Sequence, residues 1–118
     1  MKVLLVDDEK EMVAALAERL SFRDIDAEWV TTGKDAIALI SENHFDVLVL
    51  DVKMPGMSGL ETMIEILKIK PESRIIFLTG HGSAMDHIAC KEAGAFCYLM
   101  KPINIEILVE KIREAMRS

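Results

Sequence analysis

Five short apolar runs alternate strictly with five longer stretches of helical period, and this alternation constrains the fold more than any other feature of the chain. The runs are 2–6, 27–31, 45–50, 74–78 and 96–99. The helical stretches that follow them are 10–22, 33–42, 58–68, 84–93 and 105–116. Leu60, Met63, Ile64 and Leu67 recur at i, i+3, i+4 and i+7, and Ile105, Leu108, Val109 and Ile112 do the same. Each set predicts one apolar helix face. Ser58, with Glu61 three residues on, has the form of a capping box, and Asn104 is placed to cap the last helix. Such alternation predicts an α/β domain, a parallel sheet with helices on both faces. "VLLV", "VLVL" and "IIFL" are continuously apolar, as central strands covered on both sides must be. "AEWVT" is mixed and suits an edge.

The chain has 118 residues, enough for one domain over residues 1–118 with a core of its own. Hydrophobic residues make up 51%, which fits a globular chain rather than a disordered one. The formal net charge of −6 argues against a general nucleic-acid-binding surface, which needs a basic patch. No apolar run approaches the roughly 20 residues that span a bilayer. The start, Met1 to Val6, is short and soon acidic, unlike a secretory signal. Cys90 and Cys97 have no metal-ligand spacing and lie in apolar surroundings, so they are expected to be reduced, buried small hydrophobes of a cytoplasmic protein.

The chemistry gathers at the strand ends. In open α/β sheets, ligands bind at the carboxyl ends of the strands, where strand order reverses. Strand 1 ends in Asp7-Asp8, strand 3 in Asp51, strand 4 in Thr79, and strand 5 is followed by Lys101-Pro102. Each residue has an ordinary explanation taken alone. Asp8 fits a cap of the first helix, Asp51 a turn before Met54-Pro55-Gly56, Thr79 a β-former, and Lys101 a solvated loop lysine. Taken together, one rim collects three carboxylates, a hydroxyl and an ammonium. Two carboxylates about 4 Å apart repel by roughly 4 kcal/mol at an effective dielectric of about 20, so the cluster calls for a cation. An all-oxygen site with few ligands suits Mg²⁺, which keeps several waters and bridges to phosphate. Lys101 can hold a phosphoryl oxygen as a point charge and Thr79 can donate a hydrogen bond to another. This is a layout for phosphoryl transfer onto Asp.

The stretches "VDDE" (6–9), "LDVKMPGMSG" (50–59), "LTGHG" (78–82) and "GAFCYLMKP" (94–102) resemble, over the full length of the chain, the receiver domain of two-component response regulators. The resemblance implies a flavodoxin-like (βα)5 three-layer sandwich, its five-stranded parallel sheet in the order 2-1-3-4-5. It implies that Asp7 and Asp8 bind Mg²⁺ together with Asp51 and the backbone carbonyl of Lys53. Asp51 is then the phosphoacceptor, Thr79 and Lys101 the partner hydroxyl and lysine, and Tyr98 the switch aromatic. Lys53 and His81 occupy the two positions that tune dephosphorylation in the family, and both also fit plain solvent exposure. Lys101-Pro102 is a candidate cis bond. Glu9 is expected in the first helical turn, not as a ligand. His44 and His87 are expected at the surface, and none of the three histidines as a phosphodonor.

The implied partners are a sensor histidine kinase or phosphotransfer protein, a second copy of the chain on phosphorylation, and a downstream output domain. The implied output face is helix 4, strand 5 and helix 5, with Tyr98 turning inward on phosphorylation and with Met100 and Ile107 on the surface. No output segment is visible, so direct contact with nucleic acid or membrane is not expected. The stretch 78–102 looks most like receivers attached to transcriptional activators. Three other readings compete. A flavodoxin-type electron carrier needs phosphate-binding donors after strand 1, where "DDE" would repel a phosphate. A Mg²⁺-dependent phosphohydrolase with an aspartate nucleophile resembles its kin in a second acid two residues on, where this chain has Lys53. A degenerate receiver acting only as a binding module would lack site residues that are all present here.

Overall fold

The residues of the continuously apolar strands point alternately to opposite sides, and each side meets its own set of helices. A computed structural model describes residues 1–80 and 82–118. The elements run β1 (Lys2–Val6), α1 (Lys10–Ser21), β2 (Asp26–Val30), α2 (Gly33–Glu42), β3 (Val47–Leu50), α3 (Gly59–Ile69), β4 (Ile75–Thr79), α4 (Ala84–Glu92), β5 (Cys97–Met100) and α5 (Ile105–Arg117). All strand pairs are parallel, in the order β2-β1-β3-β4-β5. This is the five-stranded 2-1-3-4-5 order of the flavodoxin-like (βα)5 sandwich that the resemblance implied. The strand ends differ from expectation by one or two residues, and Thr79 lies inside β4.

Val3, Leu5, Val47, Val49, Ile76 and Leu78 face one core, which α1 and α5 close with Val13, Leu20, Leu108 and Ile112. Leu4, Val6, Leu48, Leu50, Ile75 and Phe77 face the other, closed by Ala36, Ile40, Met63, Ile66 and Cys90 from α2, α3 and α4. The period-2 pleat thus explains why both odd and even positions are apolar. Full burial contributes about 1.5–3 kcal/mol for each large side chain, so the three central strands carry much of the stability. β2 is an edge, as its mixed composition predicted.

The helix signals are met in part. At α3, Glu61 N–H donates to Ser58 Oγ (3.1 Å) and Ser58 N–H donates to Glu61 Oε1 (3.0 Å), completing the capping box. Asn104 Oδ1 accepts from Glu106 N–H at 2.7 Å. Asp8 does not cap α1; Glu9 holds that position and its side chain makes no capping bond. Asp8 is instead left exposed at the rim. Ile64 is exposed, contrary to the expected stripe, because α3 turns Met63 and Ile66 inward, with Thr62 beside them. The α5 stripe is buried as expected, and Ile107 stays outside it. Cys90 and Cys97 are free; Cys90 is buried, but Cys97, on the edge strand β5, is only half-buried. Among the described residues no helix is long and apolar enough to cross a membrane.

Candidate functional site

The backbone ladder itself brings the reactive residues side by side. Asp51 N–H donates to Val6 O (2.9 Å), Asp7 N–H to Val30 O (3.2 Å) and Lys101 N–H to Thr79 O (2.8 Å). Each strand therefore hands its first residue past the ladder to the same edge of the sheet, beside the point between β1 and β3 where strand order reverses. Behind Asp51 the chain returns tightly. Gly59 N–H donates to Val52 O at 2.7 Å, and a Cβ on Gly59 would stand 1.9 Å from the Asp51 carbonyl oxygen. Only glycine lets the start of α3 approach the acid so closely.

Asp7, Asp51 and Thr79 are buried, and Asp8 is exposed. Asp7, Asp8 and Asp51 each offer a carboxylate oxygen, all within 4.8 Å of one another. Lys101 Nζ donates to Asp7 Oδ2 at 2.6 Å and lies 3.6 Å from Asp51 Oδ2 and 3.8 Å from Glu9 Oε1. Glu9 N–H donates to Asp7 Oδ1 at 2.9 Å. Asp51 Oδ1 is buried and accepts no hydrogen bond from the described residues. The peptide bond between Lys101 and Pro102 is cis, as the resemblance implied.

The charges follow from this geometry. Burial raises the Asp7 carboxyl above its ordinary value, the Lys101 bond opposes that rise, and the Asp51 charge adds to it. A raised acid was expected from carboxylate repulsion; burial is the larger cause. Burial works against the Lys101 charge, but the bond to Asp7 and the charges of Asp7, Asp51 and Glu9 outweigh it and hold the ammonium above its ordinary value. The two shifts have different leading causes: burial lifts the Asp7 carboxyl, while the surrounding acids lift the Lys101 ammonium. An anionic, all-oxygen donor set with a buried oxygen lacking a partner fits a hard divalent cation such as Mg²⁺.

Lys53 is exposed in the loop after β3, and His81 lies outside the described residues. His44 is a surface residue, 3.1 Å from Asp46. Tyr98, on β5, is half-buried, with its ring 6.4 Å from that of Phe77. Its hydroxyl oxygen is already buried and makes no hydrogen bond among the described residues, and burial raises its pKa. The hydroxyl is thus turned inward in the unmodified chain, where the expectation was only weak sampling of the inward form before phosphorylation. The sequence reading missed one neighbour. His87 is exposed, as expected, yet its ring stacks on Tyr98 at 4.8 Å and 7°. No sequence spacing signals this pair, because α4 and β5 bring it together across a turn.

The sequence profile of the response regulator receiver domain family matches residues 3–113. The chain belongs to that family. The receiver is 38% identical over 116 residues to the transcriptional regulatory protein CpxR of Klebsiella pneumoniae, a match covering 98% of this chain and 49% of CpxR. The chain spans about half the length of the curated relatives it matches. Its fold superimposes with a TM-score of 0.93 on a CheY-like receiver domain protein from Methanospirillum hungatei, at 31% identity, covering 98% of this chain and 93% of that one. It does so with a TM-score of 0.91 on the beryllofluoride-activated NtrC4 receiver domain dimer, at 33% identity, covering 98% and 96%. The receiver is therefore a signalling domain of the two-component class, and relatives of it are transcriptional regulators.

Proposed function

We propose that the receiver accepts a phosphoryl group on Asp51 from a sensor histidine kinase or phosphotransfer protein, and that it supplies the groups for its own phosphorylation and dephosphorylation. The observation that carries this reading is the Asp51 carboxylate, buried beside Asp7, Asp8 and Lys101, with Oδ1 unpartnered among the described residues. A buried oxygen without a donor costs about 1–3 kcal/mol, which a ligand at this spot relieves. In the transfer, an Asp51 oxygen bonds to phosphorus while the bond from phosphorus to the donor's leaving atom breaks, and its electron pair departs with the donor. Lys101, already 3.6 Å from Asp51 Oδ2, shifts its ammonium from Asp7 towards the transferred oxygens. Thr79 directs its hydroxyl to another of them. Asp7, Asp8, Asp51 and the Lys53 carbonyl would hold Mg²⁺, which supplies the positive charge that lets an anionic acid meet an anionic phosphoryl group. Lys53 and His81 are the side chains that tune how long the group survives.

The signal leaves through α4, β5 and α5. Met85, Ile88, Met100 and Ile107 are exposed on these elements, an apolar surface suited to a second copy of the chain or an output domain. The activated dimer of a related receiver supports the first of these. The acidic charge and the fold support a cytoplasmic signalling role without direct contact to nucleic acid or membrane. The phosphohydrolase reading is disfavoured by exposed Lys53 at the place of a second acid. Acetyl phosphate with Mg²⁺ should add one hydroxylamine-sensitive phosphoryl group. Asp51→Asn should abolish it. Label on the mutant, or equal label in EDTA, would defeat the assignment.

A further inference from the structure

α4 has little to hold it. Among its residues only Cys90 is buried, while α5 buries Ile105, Leu108, Val109, Ile112 and Ala115. What ties its outer part to the sheet is a pair of rings. The His87 imidazole lies parallel to the Tyr98 ring, 7° from coplanar, with centroids 4.8 Å apart. That is a stacking distance for aromatic side chains. On another side the tyrosine meets backbone. A Cβ on Gly82 would stand 1.4 Å from Tyr98 Oη and 2.6 Å from Cζ. The hydroxyl occupies the space that any other side chain at position 82 would fill.

We infer that His87 is a positioning residue for Tyr98: its ring holds the tyrosine over Gly82 before any phosphoryl group arrives, and so sets how far the switch is biased in the unmodified receiver. This rests on the reading of Tyr98 as the switch aromatic. The physical argument is a difference between two states. With Tyr98 inward, both rings exclude water from one another's faces and the hydroxyl fills the Gly82 seat. With Tyr98 turned out to solvent, the stack and the seat are both lost. A contact made in one state only shifts the balance between them by its full strength. An aromatic pair of this kind corresponds to roughly a 2- to 13-fold change in that balance. Beryllofluoride, which stands in for the phosphoryl group, favours the inward state in this reading. Loss of the clamp therefore raises the concentration needed for half-saturation, by up to the same factor.

Tyr98 is the one tyrosine of the chain, so a 3-fluorotyrosine-labelled receiver gives a single ¹⁹F resonance from the ring in question. In Mg²⁺ without beryllofluoride, His87→Ala should move that resonance towards the position of a solvated tyrosine, and beryllofluoride should bring it back at a higher concentration than in the wild type. His87→Phe, which keeps a ring and discards the imidazole, should restore the wild-type shift and half-saturation. Gly82→Ala should displace the resonance by occupying the seat. A His87→Ala resonance identical to the wild type overturns the clamp, and so does a His87→Phe variant that behaves like His87→Ala. Backbone amide shifts of α4 in the same samples test the switch separately. If they ignore beryllofluoride in the wild type, the switch reading falls, while the ring resonance of unmodified His87→Ala still decides the clamp.

Discussion

Replacing Lys101 with Met removes the cation that sits among the rim acids and keeps most of its apolar stem. At an effective dielectric of about 20, a unit charge 2.6 Å from Asp7 Oδ2 and 3.6 Å from Asp51 Oδ2 gains ~6 and ~5 kcal/mol in gross attraction. Desolvation of the ammonium cancels most of that gain. Removing one partner of a buried pair nonetheless costs about 3–5 kcal/mol, because the other charge stays buried and alone. The site has a way to limit the loss, which is to bind a proton. The Asp7 carboxyl is already raised, and without Lys101 it rises further. An acid whose folded-state pKa is raised contributes stability below its unfolded value, near 3.9, and loses it as pH climbs through the folded value. Each pH unit above the unfolded value adds at most ~1.4 kcal/mol to the penalty. The part of the Lys101→Met deficit that comes from Asp7 therefore stays under about 1.5 kcal/mol at pH 5, and the deficit grows with pH to about 3–5 kcal/mol at pH 8. For a chain of this size that is a fall in Tm of roughly 10–15 °C or more at the higher pH. Urea and thermal melts in EDTA, followed by Trp29 on β2, the one tryptophan of the chain, read it directly. A deficit equal at both pH values would mean that Lys101 matters through packing alone, and the charge argument would be refuted.

Millimolar Mg²⁺ should raise the Tm of the wild type by mass action, and Asp8→Ala should remove most of that rise while barely changing the Tm in EDTA, since Asp8 is exposed; an unchanged wild-type Tm speaks against a cation site. Gly59→Ala should destabilise by about 1–3 kcal/mol, because the new Cβ must push back the Asp51 carbonyl, and phosphorylation should fall with it. A variant that labels as fast as the wild type would show that the tight return behind Asp51 is not needed to place the acid. Amide shift mapping with beryllofluoride and Mg²⁺ should show responses across α4, β5 and α5; responses confined to the loops after β1 and β3 would remove the proposed output face.

The layers of the fold were legible because the central strands must be apolar at every position, a demand that only a doubly covered sheet makes. Asp7, Asp51, Thr79 and Lys101 were legible for a related reason: in a parallel sheet, strand ends share an edge, so residues far apart in the chain fall on one rim. The differences are local. The ordinary alternative for Asp8, a helix cap, falls away because the turn gives that position to Glu9 and leaves Asp8 in the acidic cluster. Ile64 looked apolar-faced by spacing, but a helix packs through a stripe narrower than its apolar count. The inward Tyr98 and its His87 partner had no signal at all. Their contact depends on how α4 docks, and the sequence between them carries no period that reports docking.

That docking also explains where a signal can go. In the proposed reaction a phosphoryl group on Asp51 would add charge beside a tightly packed rim, where β3 and β4 are buried throughout and β1 at every residue but Lys2. Local openings are drawn from segments with few buried apolar contacts. Of the helices, α4 fits that description, with Cys90 as its single buried residue and a ring stack in place of a core stripe. In the proposed reaction, rearranging Thr79 and Lys101 around new oxygens would therefore be relayed to α4 rather than into the sheet. The apolar side chains that α4 leaves in solvent, Met85 and Ile88, lie on the element that costs least to move. A surface made to change partners has to sit there, because a helix anchored as α5 is would need a whole core stripe broken to report the same event.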